Sequence, residues 1–339
     1  MPPFERESHR IVIAGASSLL GAELKSLLEE SRFADWDFRL LDEEEAAGTL
    51  TEAGGEAAVI QPVEEGSFDR ARLIFFTGSP QFTHANLVAA HGAHATIIDL
   101  SGRMSEHPLK HPPTEEWFPG LERLRGAESP KDASIFAIPS AAATAVSALA
   151  LALASVGLQC LAVTCFHPVS EAGRAGIEEL ETQTSQLLSF QSVGTPVFDA
   201  QVAFTLLDRF GSAASLPLSD TRKRIRAEVK ACIAGKVPRP AVQVIHAPVF
   251  YGTMVSAWAE IDRAATSKSI LEACSNAGFF LVNEDQAPSN VSAAGENVIQ
   301  LAVPEPDPAK VGSWWFWGAA DNIRLPAWNA VKLAEKLVP

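Results

Sequence analysis

From Arg10 to Ser31 the chain reads RIVIAGASSLLGAELKSLLEES, and its hydrophobic period changes midway. RIVIA is a short continuous apolar run of strand length. Beyond the Gly-Ala-Ser-Ser turn, Leu20, Leu24, Leu27 and Leu28 recur at helical spacing and share one face. The pattern predicts a strand, a glycine turn and an amphipathic helix. DFRLLD, ARLIFFTGSP and HATIIDLSGR repeat the strand signal, and the helical stretch QFTHANLVAAHG separates the last two. Strands alternating with helices predict a parallel, doubly wound α/β sheet of Rossmann type.

A second pattern begins after Asp132, because no Asp, Glu, Lys or Arg occurs before Glu171. That run is longer than a membrane span requires. Pro139 and Ser140 begin it like a helix N-terminus, Gly157 punctuates it, and LQCLAVTCF after it has strand composition. A buried helix, a glycine stop and a buried strand are therefore expected, rather than a membrane helix. Near the end, VGSWWFWGAAD places Trp314, Trp315, Phe316 and Trp317 in one strand. Alternation buries one pair and turns the other outward, toward a dimer partner in preference to a stacked ligand. The expected organisation is a nucleotide-type domain over residues 1–138, a second domain over 139–318, and a final helix over 319–339.

Composition narrows the function classes. With 339 residues, 47% hydrophobic and 20% charged, the chain can bury two cores. A net charge of −14 without a basic run disfavours nucleic acid and anionic lipid as partners. Cys160, Cys165, Cys232 and Cys274 show neither CxxC nor zinc spacing, and MPPFERESHR has no apolar signal core. Both features predict a cytoplasmic protein.

Four stretches carry a family resemblance, in order along nearly the whole chain. GASSLLG is similar to a GATGxVG turn, IDLSGRM to a DxSxxxR loop, PVSEAGRAGIEELETQ to a QxxSGxGxxGxxEL segment, and AADNIRLPAWNAVKLAE to an SDNxRKGAAxN helix. The sequence resembles aspartate-semialdehyde dehydrogenase, and more closely its divergent Usg-type homologues. The resemblance implies a Rossmann domain, an α+β dimerisation domain with a mixed sheet, a final helix returning to the first domain, a homodimer, and NADP-dependent reductive dephosphorylation of β-aspartyl phosphate. It also implies cofactor contacts at Gly15, Ser17, Ser18, Gly21, Gly78 and Asn322.

That chemistry needs a thiolate at a helix N-terminus, a base, and cations for carboxylate and phosphate. The family's cysteine position in its NPNC motif falls on Ala141, within IPSA. A methyl group forms no thioester. The family's histidine base, in RxPVxxGHSE, falls on Thr253 within HAPVFYGTMV; its substrate arginine falls on His246 and the glutamine of QxxSG on His167. Arg103 matches a phosphate-binding arginine, and Arg224 with Glu228 matches a substrate-binding helix, so a small anionic metabolite remains a possible ligand. The alternatives are an ion-paired surface arginine at 103 and a solvated helix face at 224 and 228. Ser140 reads as a helix N-cap before a nucleophile. Cys165 and His167 alternate on one strand face, where a buried hydrophobic cysteine is the expected outcome. His167 and His246 are a candidate metal pair, but with no third ligand at useful spacing no metal is expected.

The adenosine end differs too. Where the family carries residues for the 2′-phosphate, this chain reads LLDEEEAAG, with acids from Asp42 to Glu45. An acid ending strand two accepts ribose hydroxyls and repels a phosphate, so NAD is favoured over NADP if either binds; a solvated acidic turn with no nucleotide is the alternative. Ser18 in place of the middle glycine adds a side chain near the pyrophosphate path. Two function classes follow: a degenerate dehydrogenase homologue acting by ligand or protein binding, and an active NAD(P)-dependent oxidoreductase with altered chemistry.

Overall fold

A computed structural model describes residues 9–53, 55–102, 114–126, 133–283 and 285–338. The chain divides into two compact units, one of Met1–Trp117, Pro130–Ile138 and Ala327–Pro339, the other of Phe118–Ser129 and Pro139–Pro326. The division assigns Phe118–Ser129 to the second unit instead of the expected first. Its physical reason is that Phe118 and Leu121 pack in the second unit's core. The last helix belongs to the first unit only from Ala327 onward.

In the first unit, β1 (Arg10–Ala14) leads to α1 (Leu19–Glu29) and β2 (Asp37–Asp42). A small antiparallel hairpin follows, β3 (Leu50–Ala53) with β4 (Glu56–Val59), then β5 (Gln61–Pro62). β6 (Ala71–Phe76), α2 (Pro80–Gly92), β7 (Thr96–Asp99), β8 (Thr114–Glu116) and β9 (Ile135–Ala137) complete the sheet. Its order is β5-β2-β1-β6-β7-β9-β8, and every pair is parallel. Both faces are covered, which is why RIVIA and ARLIFF are apolar without alternation. Ile11, Ile13 and Phe75 pack with Leu24 and Leu28 of α1 and with Ala330 and Val331 on one side. Val12, Ile74 and Phe76 pack with Leu87 of α2 on the other.

The second unit begins with α3 (Leu121–Arg125), α4 (Ala141–Ala154), β10 (Cys160–His167), α5 (Gly173–Leu188) and α6 (Leu218–Ile233). It continues with β11 (Ala241–His246), β12 (Thr253–Glu260), α7 (Ser267–Asn276), β13 (Phe279–Leu281), β14 (Ile299–Leu301), β15 (Glu305–Pro306) and β16 (Ser313–Ala320). α8 (Arg324–Leu337) starts here and runs on into residues of the first unit. The sheet is mixed, in the order β11-β10-β12-β16-β14-β13, with β15 on β16. α4 lies on β10, β12 and β16 and packs against α3, α6 and α7. Every residue from Ala141 to Leu153 is consequently buried, so the charge-free run is a helix enclosed on all sides. Among the described residues no helix is long and apolar enough to cross a membrane.

α4 covers one face of this sheet, and the side chains that alternate with the buried ones lie on the other. Trp315 and Trp317, 47% and 36% exposed, point there while Phe316 is buried, as alternation along the strand requires.

Candidate functional site

In the first unit, β1 lies between β2 and β6, where the strand order reverses, and open α/β sheets bind nucleotides at such a point. The turn after β1 is fixed by backbone contact. Gly15 has φ +99°, and a Cβ there would lie 2.1 Å from the Gly78 nitrogen. A Cβ on Gly21 would lie 2.4 Å from the Gly15 carbonyl oxygen. The three glycines of the expected cofactor set thus have a packing reason independent of any ligand. Ser18 is the N-cap of α1; its hydroxyl accepts from Gly21 N–H at 2.9 Å and donates to the Thr77 carbonyl at 2.9 Å. This bond straps the helix start across from β1 to the end of β6. Asp42 is buried and accepts from Ser17 N–H at 2.7 Å and from Glu43 N–H at 2.9 Å. Glu43 in turn accepts the Ser79 hydroxyl at 2.9 Å.

These residues fit part of a dinucleotide. The N–H groups of Leu19 and Leu20 open α1 and would face a phosphate, since the first turn of a helix has no internal acceptors for them. Asp42 sits at the end of β2 with lone pairs left for a ribose hydroxyl. The acids at 42–45 would repel a 2′-phosphate placed beside them.

The second unit gathers most of the other sequence-predicted residues. Ala141 opens α4 and is buried, with Ser140 as its N-cap. The Ser140 hydroxyl accepts from Ala143 N–H at 3.3 Å and donates to Glu228 Oε2 at 2.6 Å, while Ser140 N–H donates to the same oxygen at 3.2 Å. Glu228 is buried, which corrects the solvated-face alternative for this helix. Burial pushes its carboxyl up, against the pull of Arg224 and the Ser140 bonds. Arg224 Nε is 3.9 Å from Glu228 Oε1, and Arg224 Nη2 donates to Glu171 Oε2 at 3.1 Å. Glu171 is held below the usual carboxylate range because His167, Arg224 and Asn322 together outweigh its desolvation.

Asn322 is buried. Its Nδ2 donates to Ser170 Oγ at 3.0 Å and to Glu171 Oε1 at 3.4 Å, and its Oδ1 accepts from Gly252 N–H at 2.8 Å. Its amide is engaged on both sides inside the second unit.

His167 and His246 are register partners on β10 and β11, and both are buried. Desolvation lowers His167 to about 4, with Arg224 and His246 helping and Glu171 opposing. His246 is likewise lowered by burial; its ring lies 5.5 Å from Phe210 and 6.1 Å from Phe198, with Nε2 3.1 Å from the Val202 carbonyl. His246 is thus an imidazole packed between aromatic rings, its charged form disfavoured by burial. Among the described residues no three His, Cys, Asp or Glu side chains are grouped to hold a metal. Thr253 opens β12, buried, with no hydrogen-bond partner at Oγ1. Cys165 is buried and its thiol is pushed up to about 12, so it carries no thiolate near neutral pH. Arg103 lies outside the described residues.

Glu171 and Ser170 were not singled out in the sequence. The available signal was Glu171 itself, a charged side chain where the QxxSG pattern has glycine. A pocket of about 590 Å³ opens away from this cluster, on the outer sheet face, lined by Thr164, Arg226, Gln243, Ser256, Trp258 and Trp315 among others.

A parallel nucleotide-type sheet, a second unit with a mixed sheet, and a buried helix N-terminus beside an Arg-Glu pair define the fold class of the semialdehyde dehydrogenases. The chain belongs to the semialdehyde dehydrogenase family: residues 149–325 match the model described as "Semialdehyde dehydrogenase, dimerisation domain". It is 30% identical over 335 residues to a USG-1 protein homolog of Azotobacter vinelandii, covering 97% of each chain. It is 31% identical over 338 residues to a USG-1 protein homolog of Pseudomonas aeruginosa, again covering 97% of each. A solved structure described as a probable aspartate-semialdehyde dehydrogenase from Pseudomonas aeruginosa superposes with a TM-score of 0.85 at 28% identity, covering 97% of this chain and 98% of that one.

Proposed function

We propose that this chain is a degenerate member of the family, a ligand-binding homodimer that does not form an acyl-enzyme. One observation carries the reading: the first residue of α4 is a buried alanine, and the hydroxyl beside it is engaged as a helix cap on Glu228. The remaining groups support it. Thr253 has no acid–base chemistry near neutral pH, His167 is held neutral, and Cys165 is a buried thiol. Binding is what the cluster of Ser140, Glu171, Arg224 and Glu228 suits, with its charges close and few of its polar atoms unmatched.

A nucleotide is part of the proposal, because the turn after β1 and Asp42 would hold the phosphate and ribose of NAD. When bound, that group would supply hydride acceptance and donation. The chain's own residues contribute the helix N–H donors and a ribose-facing carboxylate, and the acids at 42–45 favour NAD over NADP.

The test is a steady-state assay of phosphate-dependent oxidation of aspartate semialdehyde with NAD and with NADP. Wild type, Ala141→Cys and Thr253→His are each expected at background. A thiol without a base, or a base without a thiol, gives little, since such groups act as a unit. Turnover by the unmodified chain would overturn the reading in favour of an active oxidoreductase with a relocated site.

A further inference from the structure

The outer face of the second sheet is divided by side-chain size and by charge. Register pairing places Ala241, Ala162, Trp258, Trp315 and Glu305 in one row across β11, β10, β12, β16 and β15. Register partners project from the same face, so the row runs from two alanines through two indoles to a carboxylate. Over the alanines the face is hollow. The pocket of about 590 Å³ lies there, bounded by Trp258 and Trp315 toward the middle of the sheet and by Arg226 and Arg239 at the β11 edge. Arg226 is fixed at that edge, because its Nε and Nη2 donate to the Val242 carbonyl at 3.0 and 2.6 Å. Arg239 at one end of the row and the exposed Glu305 at the other have no side-chain partner among the described residues. A hollow edged by cations and a half-exposed indole followed by an acid are complementary, and one face carries both.

We propose that this pocket is the socket for Trp315 of a second copy of the chain, closed by an ion pair between the second copy's Glu305 and Arg239. The strand order supplies the symmetry. β12 has β10 and β11 on one side and β16 and β15 on the other. A two-fold axis running along β12 in the plane of the face therefore lays the row on its own reverse, with strand directions kept aligned as in face-to-face sheet packing. Trp258 then meets Trp258 of the second copy. The second copy's Trp315 lies over Ala162, and its Glu305 arrives over Ala241, beside Arg239 and Arg226. Each contact is made twice. Arg239 and Glu305 act as recognition charges: they set which way round two copies dock, and they disfavour any face that brings a like charge to either end of the row. The inference deepens the homodimer reading and rests on it, and it does not depend on whether the chain turns over any substrate.

Sedimentation equilibrium of the full-length chain tests it. Arg239→Glu sets two glutamates against each other at both ends of the contact, and Glu305→Arg sets two arginines there. Each variant alone should pair at least about tenfold more weakly than wild type. An equimolar mixture of the two variants should pair again, to within about threefold of wild type, because in the mixed dimer both contacts join a glutamate to an arginine. That recovery needs the two positions to meet between copies, since they lie at opposite ends of the row within one. Ala162→Leu tests the socket itself: it fills the hollow and should weaken pairing at least about tenfold, with unchanged circular dichroism because Ala162 is exposed in the single chain. A monomeric wild type would remove the homodimer reading and this inference together. A dimeric wild type whose charge variants pair normally, whose mixture pairs no better than either variant, or whose pairing ignores Ala162→Leu would overturn this docking alone.

Discussion

His167 faces Glu171, Arg224 and His246, and it stays neutral because burial outweighs the one carboxylate in reach. Its folded value of about 4 lies below the ordinary 6.5, so between these pH values the unfolded chain binds more protons than the folded one. The resulting stabilisation is present above about pH 6.5 and is lost as pH falls toward 4, and it amounts to about 3 kcal/mol. His246 acts in the same direction. Glu228, raised by burial, acts oppositely and favours the folded state less as pH rises above the ordinary carboxylate range. Urea midpoints measured from pH 4 to 8 should therefore climb toward neutrality, and His167→Gln should flatten that climb. An unchanged slope in the variant would assign the pH dependence elsewhere. At this scale the sequence was partly legible. Ser140 read as a helix N-cap and Cys165 as a buried strand cysteine, whereas the burial of Glu228 was obscured by the polar run RKRIRAEVK. The signal lay in spacing: Glu228 follows Ile225 by three and precedes Cys232 by four, which puts it on the buried stripe of α6.

Among the elements, the turn joining β1 to α1 and the end of β2 decide what the first unit can hold. β1, β2, β6 and β7 were legible as apolar runs because a sheet covered on both faces leaves no polar alternation to confuse with helix. The β3–β4 hairpin was not, since its strands, with Leu50 and Val59 exposed, bury too little to impose a pattern. Nor was the role of Ser18, whose strap to Thr77 depends on a neighbour 59 residues away in sequence. The nucleotide prediction belongs to this scale. If the turn after β1 holds a dinucleotide as proposed, the acids at 42–45 would lie near its adenosine ribose, and one added like-charge contact near a protein surface costs about 1 kcal/mol or more. Calorimetry should find NAD bound more tightly than NADP, with the gap narrowing at high salt and after Glu43→Gln. NADP as the tighter ligand would sink the assignment of Asp42 to the ribose.

For the molecule as a whole, the outer face of the second sheet is the feature that one copy of the chain leaves unexplained. Trp258 and Trp315 are register partners across β12 and β16, Trp317 lies 5.8 Å from Phe166, and Phe280 on β13 is 56% exposed. A broad aromatic surface of this kind is more than a monomer ordinarily leaves in water. The matched segment, 149–325, is named for dimerisation and contains every one of these side chains. A two-fold symmetric contact is self-complementary, so each tryptophan would meet the same face of the second copy. The expectation is a homodimer through this sheet, giving one sedimenting species of about twice 36.2 kDa at micromolar concentration. Trp315→Glu would place a charge in the centre of the contact, where loss of a buried tryptophan costs about 2 kcal/mol or more. The variant should sediment as a monomer at concentrations where wild type is paired, with unchanged circular dichroism because Trp315 is half exposed in the single chain. A monomeric wild type would rule out the dimer, and a variant that stays fully dimeric would move the interface to another face.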